Sequence, residues 1–304
     1  MELRDIEYFA VVAEHRHLGR ASVALGLSPT ALSKSLRRLE KAVQAKLVAR
    51  TAKGVELTAE GNALLARVSG LRLSLDDVAR EVADLAQGRA GHLRIGASPS
   101  PPVENLLVAA YEVLVKTKQK ITAAIRIEQT HSTLPALRSG ELDLVLSALP
   151  VQPDEDLVQE PLVDDDLTVI ASANHPLARQ KKVTIADLAP QRWALTPPNS
   201  VTRRRFNQLF EAQGISPPKP TLEISSAAFT LRMVAASDLL CFVSRWWLDR
   251  CETSPGLVEI PVKEMKWRRR TGVSYRKGGY LSPTARRFIE ILKATAKEIA
   301  AEKQ

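Results

Sequence analysis

The chain is short of the residues that most often carry chemistry. It has two cysteines in 304 residues, Cys241 and Cys251, and neither has metal-site spacing partners. Such usage fits two ordinary thiols in a reducing compartment. Of its five histidines only His15 and His17 lie close in sequence, so no metal site is expected. No apolar run approaches the roughly 20 residues that span a bilayer, and the start MELRDIEYF lacks a signal-peptide pattern. A cytoplasmic protein with no membrane partner is the expectation. Also missing are a G-x-S-x-G elbow, a Walker loop and a glycine-rich dinucleotide fingerprint, and no activated nucleophile or acid–base pair can be assembled. We therefore expect no catalytic residues, no cofactor and no enzyme. No internal repeat or low-complexity run is evident.

What is present is length and positive charge. A chain of 304 residues, 45% hydrophobic and 25% charged, has the composition of a soluble globular protein of two or three domains. The net charge is +9. Between Arg16 and Gly54 nine cations face Glu40 alone, a local balance of +8 that suggests a nucleic-acid-binding unit.

Within that unit lies the stretch LSPTALSKSLRRLEKAV, residues 27–43. Ser28 is a good N-cap and Pro29 falls at the first helical position, where its missing N–H costs nothing. Leu32, Leu36, Leu39 and Val43 lay one apolar stripe along the helix. The opposite face holds Thr30, Ser33, Lys34, Arg37 and Arg38, the mix a helix needs to lie in a major groove and hold flanking phosphates. Residues 5–14 predict a first helix with Ile6, Phe9, Val12 and Ala13 inward. Residues 18–25 predict a short second one with Ala21, Ala24 and Leu25 inward, and Gly26 permits the turn that follows. Helix, short helix, turn, helix is the helix-turn-helix layout. Leu47–Val48 and Val55–Leu57 then predict two short strands, with Lys53 and Gly54 at the tip of a basic wing. We assign Pro29, Thr30 and Ser33 to base edges and sugars. Lys34, Arg37, Arg38, Arg50 and Lys53 are assigned to phosphates.

Thr58 can cap a helix running from Ala59 to about Gln87. Along it Leu64, Val68, Leu71, Leu75, Val78, Val82 and Leu85 alternate steps of four and three, over roughly 43 Å at ~1.5 Å per residue. The pattern implies dimerisation through a like helix, and two heads imply an inverted-repeat operator in double-stranded DNA. Gly88 and Gly91 mark its end. From His92 short strands alternate with helices, an α/β pattern with a mainly parallel sheet. A second such set starts near Leu162, and a final strand and helix would rejoin the first, making two lobes with two crossing strands.

The residues 3–61 together resemble the LysR-type transcriptional regulators: Leu3-Arg4, Tyr8-Phe9, Ala21 to Leu25, Ser28, Ala31-Leu32-Ser33, Leu36 to Glu40, Arg50-Thr51, Gly54-Val55 and Leu57-Thr58-Ala59-Glu60-Gly61 stand where that family has them. Gly140-Glu141-Leu142-Asp143, His175-Pro176-Leu177-Ala178 and Leu281-Ser282-Pro283 extend the likeness along the chain. It departs at Pro29-Thr30, where the family usually has Gln-Pro; at Gly19, in place of a hydroxyl cap; at Val48, where phenylalanine is commoner; and at Ala236-Ser237-Asp238-Leu239, where many members have a glycine-rich turn. The resemblance implies a winged helix-turn-helix at 1–58, a coiled linker helix at 59–88, and an effector-binding domain at 89–304. That domain would be type II periplasmic-binding-protein-like, with lobe I about 91–160 and 268–304 and lobe II about 161–267. It further implies an antiparallel linker dimer, a tetramer, and contact with RNA polymerase if the protein is an activator.

Open α/β sheets bind ligands beyond their C-terminal strand ends. Three hydroxyl-rich turns fall there, and Ser98, Ser100, Thr130, His131, Thr196 and Thr202 are the candidate effector residues, suited to a small carboxylate or polyol. In LysR-type proteins the same turns line the inducer pocket. The alternative for each is a cap on its own helix. Asp164-Asp165-Asp166 could mimic a cation site but reads rather as an acidic turn before a strand; Arg203-Arg204-Arg205 and Arg268-Arg269-Arg270 could attract an anionic effector but, as runs of adjacent residues, read rather as solvated. The expectation is a DNA-binding regulator with a small-molecule co-inducer. Its rivals are a solute-binding protein, or a regulator with a vestigial cleft.

Overall fold

Ser28 is extended and its Oγ accepts from the Ala31 N–H at 3.1 Å, so a helix, α3, runs Pro29–Val43 as its cap and stripe predict. The computed structural model describes residues 2–51, 54–87, 92–116, 121–249 and 256–301. Before α3 come α1 (Leu3–His15) and α2 (Leu18–Ala24). Ile6, Phe9, Leu36, Leu39 and Leu47 make one core under these helices, and Val12, Ala21, Leu32 and Val55 a second. Two details differ from expectation. Ala24 is exposed, and the inward residue is Ser22, whose hydroxyl donates to the Gly19 carbonyl at 2.8 Å. The start of α2 also has a cap that composition hid: His17 Nδ1 accepts from the N–H groups of Gly19 at 3.1 Å and Arg20 at 3.3 Å. Gly26, at φ +63°, makes the left-handed turn into α3.

The wing strands are β1 (Val48–Thr51) and β2 (Gly54–Leu57), antiparallel with Val48 opposite Leu57. Val55 N–H donates to the Arg16 carbonyl at 2.9 Å. A Cβ on Gly54 would lie 2.4 Å from that same oxygen, so glycine is what lets the wing close on the end of α1. Thr58 Oγ1 accepts from Gly61 N–H at 2.9 Å and donates to the Lys46 carbonyl at 2.6 Å, opening α4 (Ala59–Gln87). Leu64 and Val68 correct the dimerisation set: both pack into the core of α1 and α3. Leu75, Val78 and Val82 are 43, 55 and 59% exposed. The side chains of Leu71 and Leu85 lie outside the described residues, as do Gly88 and Gly91.

By internal contacts the chain divides into residues 1–83 and 84–304. The second unit is built on one nine-stranded sheet, ordered β4-β3-β5-β11-β6-β9-β7-β8 with β10 paired to β6. In lobe I, β3 (His92–Ala97) lies parallel to β4 (Thr122–Ile127) and β5 (Leu144–Ala148). The helices α5 (Pro101–Val115), α6 (Thr130–Arg138) and α11 (Pro283–Ala301) belong to this lobe, and Leu106, Leu114, Phe288 and Leu292 close its core. In lobe II, β7 (Trp193–Leu195) lies parallel to β8 (Leu222–Glu223) and β9 (Leu240–Ser244). The helices there are α7 (Ile185–Leu188), α8 (Val201–Glu211), α9 (Ala227–Ala235) and α10 (Trp246–Asp249), with β10 at Leu257–Ile260. Trp193 packs edge-on to Phe206 at 4.8 Å, and Phe210 and Phe242 complete that aromatic core.

Two long antiparallel strands, β6 (Leu157–Ser172) and β11 (Trp267–Arg276), join the lobes. This corrects the reading of Asp164–166 as a turn. The three aspartates lie mid-strand, where Asp164, Asp165 and Asp166 face Arg270, Arg269 and Arg268. Strand alternation leaves Asp164, Asp166, Arg268 and Arg270 exposed and turns Asp165 and Arg269 inward.

Candidate functional site: a basic helix face and an interlobe cavity

Pro29, Thr30, Lys34 and Arg37 are exposed on α3, and Ser33 is half-buried. Lys34, Arg37 and the neighbouring Lys41 carry no ion pair among the described residues. Arg38 is different. Its Nε donates to Asp5 Oδ2 at 2.8 Å and its Nη2 to Asp5 Oδ1, while Ser35 Oγ donates to the same carboxylate at 2.6 Å. Asp5 has no exposed surface, and the Arg38 hydrogen bonds hold its carboxyl down at about 2 against the opposing cost of burial. Arg38 therefore ties α3 to α1 although its side chain stays half exposed, and the exposed cations of α3 without an ion pair among the described residues are Lys34, Arg37 and Lys41. Lys46 is likewise engaged, 2.7 Å from buried Glu40, which also accepts from Leu47 N–H at 3.0 Å. Arg50 lies on β1, its side chain outside the described residues, as is the whole of Lys53.

The second site is a cavity of about 470 Å³ between the lobes. All six residues predicted from the turns line it: Ser98 and Ser100 after β3, Thr130 and His131 at the start of α6, Thr196 after β7 and Thr202 at the start of α8. Some are already engaged. Thr196 Oγ1 lies 2.7 Å from Ser200 Oγ, which caps α8 by accepting from Arg203 N–H at 3.0 Å. Thr202 Oγ1 accepts from Arg269 at 3.4 Å. His131 Nε2 lies 3.3 Å from Asn199 Nδ2, so α6 meets the α8 turn across the mouth.

Ser100 is not engaged. It precedes α5 yet caps nothing, because Pro101 and Pro102 bring no N–H and Val103 N–H goes to the Ser100 carbonyl at 3.0 Å. Its Oγ is buried with no hydrogen-bond partner.

Sequence reasoning missed Asn199, Ser244 and Trp247 and set Arg204 and Arg269 down as solvated, yet all five line the cavity. Arg269 bridges to Asp165 at 2.7 Å, and Ser244 donates to the other oxygen of that carboxylate. The Arg269 and Arg205 guanidiniums lie 5.6 and 5.9 Å from the Trp267 ring centroid. The clue was the mirror relation of an acidic and a basic triplet, which on paired strands buries only the middle residue of each. Cys241, on β9, is wholly buried and its thiol is pushed up to about 12 by burial, which makes it a core residue rather than a reactive one. Cys251 lies outside the described residues.

Residues 3–62 match the family model described as a bacterial regulatory helix-turn-helix protein of the lysR family, and residues 86–297 match the LysR substrate binding domain. The chain belongs to the LysR family. It is a DNA-binding transcriptional regulator with an effector-binding domain. Among relatives of this LysR-type chain, the HTH-type transcriptional regulator GbpR of Azospirillum brasilense is 28% identical over 298 residues, 97% of this chain and 87% of that protein. Solved structures share the fold. A mutant of Corynebacterium glutamicum OxyR with hydrogen peroxide bound aligns with a TM-score of 0.58 at 23% identity, over 99% of this chain and 94% of that one. CbnR complexed with its target DNA aligns at 0.52 and 20% identity, over 97 and 100%.

Proposed function

We propose that this LysR-type protein acts in the cytoplasm as a dimer joined through α4, and that it reads an inverted-repeat operator with two α3 helices. A small hydroxyl-binding ligand, carboxylate or polyol, controls it from the interlobe cavity. The observation that carries the reading is the convergence of the six turn residues on one cavity whose walls come from both lobes. A ligand touching both lobes favours their closed arrangement, and differential contact of that kind is what a small molecule needs to shift a conformational equilibrium. The names of its relatives support a regulator rather than an enzyme. Among the described residues no helix is long and apolar enough to cross a membrane.

On α3, Pro29, Thr30 and Ser33 face base edges and sugars while Lys34 and Arg37 hold phosphates, joined by Arg50 and Lys53 of the wing. With Pro29-Thr30 in place of a glutamine, the bidentate adenine contact open to a glutamine is missing here. The test is binding to the DNA upstream of the protein's own gene across a salt series, against a scrambled duplex. Tight binding that survives the competitor is expected. Lys34→Ala is expected to weaken binding to both duplexes and lower the log–log salt slope by about 1. Thr30→Ala is expected chiefly to narrow the gap between them. Equal loss on both duplexes for both variants overturns this division of labour.

A further inference from the structure

The charges around the cavity narrow its ligand further, given that the cavity is the effector site. Among the described residues no aspartate or glutamate lines it. Three arginines do, and two are already neutralised: Arg138 by Asp154, and Arg269 by Asp165, which is wholly buried 2.7 Å behind it. Arg204 is the third. It is exposed, it donates to the Asn199 carbonyl at 2.8 Å, and no carboxylate pairs with it among the described residues. The wall thus offers one uncompensated permanent charge, on the lobe II side, which suits one anionic group.

Opposite, on lobe I, the Ser100 hydroxyl is buried and unpartnered. Buried polar atoms are nearly always paired, so this one calls for a ligand atom able to give or accept a hydrogen bond. Ser98 stands beside it on the same turn. Phe242 and Trp247 also line the cavity and bring apolar surface to its wall, which suits the C–H face of a carbon chain.

We propose that the cavity binds a polyhydroxylated monocarboxylate, its carboxylate on Arg204 and its hydroxyls on Ser100 and Ser98. A bare polyol leaves Arg204 unanswered, a simple alkanoate leaves Ser100 unanswered, and a dicarboxylate brings a second charge for which the described walls have no free cation.

The test is isothermal titration of the full-length protein with gluconate, galactonate and xylonate, and with glucitol, glucarate and hexanoate as contrasts. At least one of the three aldonates is expected to bind tenfold or more tightly than every contrast. Arg204→Gln is expected to weaken that aldonate at least tenfold while leaving glucitol unchanged, and Ser100→Ala to weaken it severalfold. Glucitol, glucarate or hexanoate binding as well as the aldonates overturns the proposal, as does a panel in which no aldonate binds. Operator binding by the same ligand-free preparations separates this from the regulatory reading. Specific DNA binding without aldonate binding sinks only the ligand class, whereas aldonate binding without specific DNA binding sinks only the regulator.

Discussion

Asp5 sits without exposed surface between α1 and α3, where the hydroxyl of Ser35 and the guanidinium of Arg38 both donate to it. Its carboxyl, lowered from 3.8 to about 2, contributes stability in the ionised form. Because the folded value lies below the unfolded one, that contribution is complete above about pH 5 and fades as the pH falls through 4 towards 2. The shift corresponds to roughly 2 kcal/mol. Asp5→Asn is therefore expected to lower stability at pH 7 by about 2 kcal/mol and to flatten its decline between pH 5 and 3. Urea midpoints at several pH values measure both, and an unchanged decline in the variant contradicts the assignment. The residue was invisible in the sequence because its partners lie 30 and 33 positions away. Arg38 itself was legible as a cation on α3; that it faces a carboxylate of α1 was not.

At the scale of elements, α4 carries two different surfaces along one apolar stripe. Leu64 and Val68 satisfy the head's own core, whereas Leu75, Val78 and Val82 stand open on the chain alone. An apolar face of this kind, on a repeat of fours and threes, suits a second copy of itself. Val78→Glu is expected to shift the protein to monomer in sedimentation equilibrium at micromolar concentration while leaving the far-ultraviolet dichroism intact. A dimer of undiminished strength would place the interface elsewhere. The full 29-residue extent of α4, Ala59–Gln87, was legible because a capping threonine and an unbroken period mark it. Which turns of the stripe stay at home was not, since a/d periodicity is the same whichever helix fills the groove. The cap of α2 was hidden for a related reason: histidine is not among the usual N-caps, and only the backbone at His17 turns its Nδ1 onto two N–H groups.

For the molecule as a whole, the connection between lobes rests on β6 and β11, and at their crossing Asp165 and Arg269 form a buried pair. Arg269 also reaches the cavity and Thr202, so the joint and the ligand site share a side chain. Removing one partner of a buried pair strands the other. Asp165→Leu is expected to cost ~3–5 kcal/mol, and the Asp165→Leu/Arg269→Met double variant to regain much of it, because two matched apolar groups need no counter-charge. Chemical denaturation of the two variants decides. A double variant no more stable than the single one shows that the pair does not act as a unit.

The LysR family, the winged helix-turn-helix, the long helix and the alternation of strands and helices were all readable from the sequence alone. So were the six turn residues that meet in the cavity. They were readable because each rests on local rules: caps, glycine turns, periods of 3.6 and 2, and the position of hydroxyls just after strands. Charge pairing obeyed no such rule. Asp164–166 and Arg268–270 look alike on paper, three like charges in a row, but antiparallel register set them face to face across 104 residues and turned only the middle pair inward. Tertiary structure alone decided which cations remain free, at Lys34, Arg37 and Arg204, and which are spent on the fold, at Arg38, Arg138 and Arg269. The free energy of a charge depends on what stands within a few ångströms of it, and folding is what brings those neighbours there.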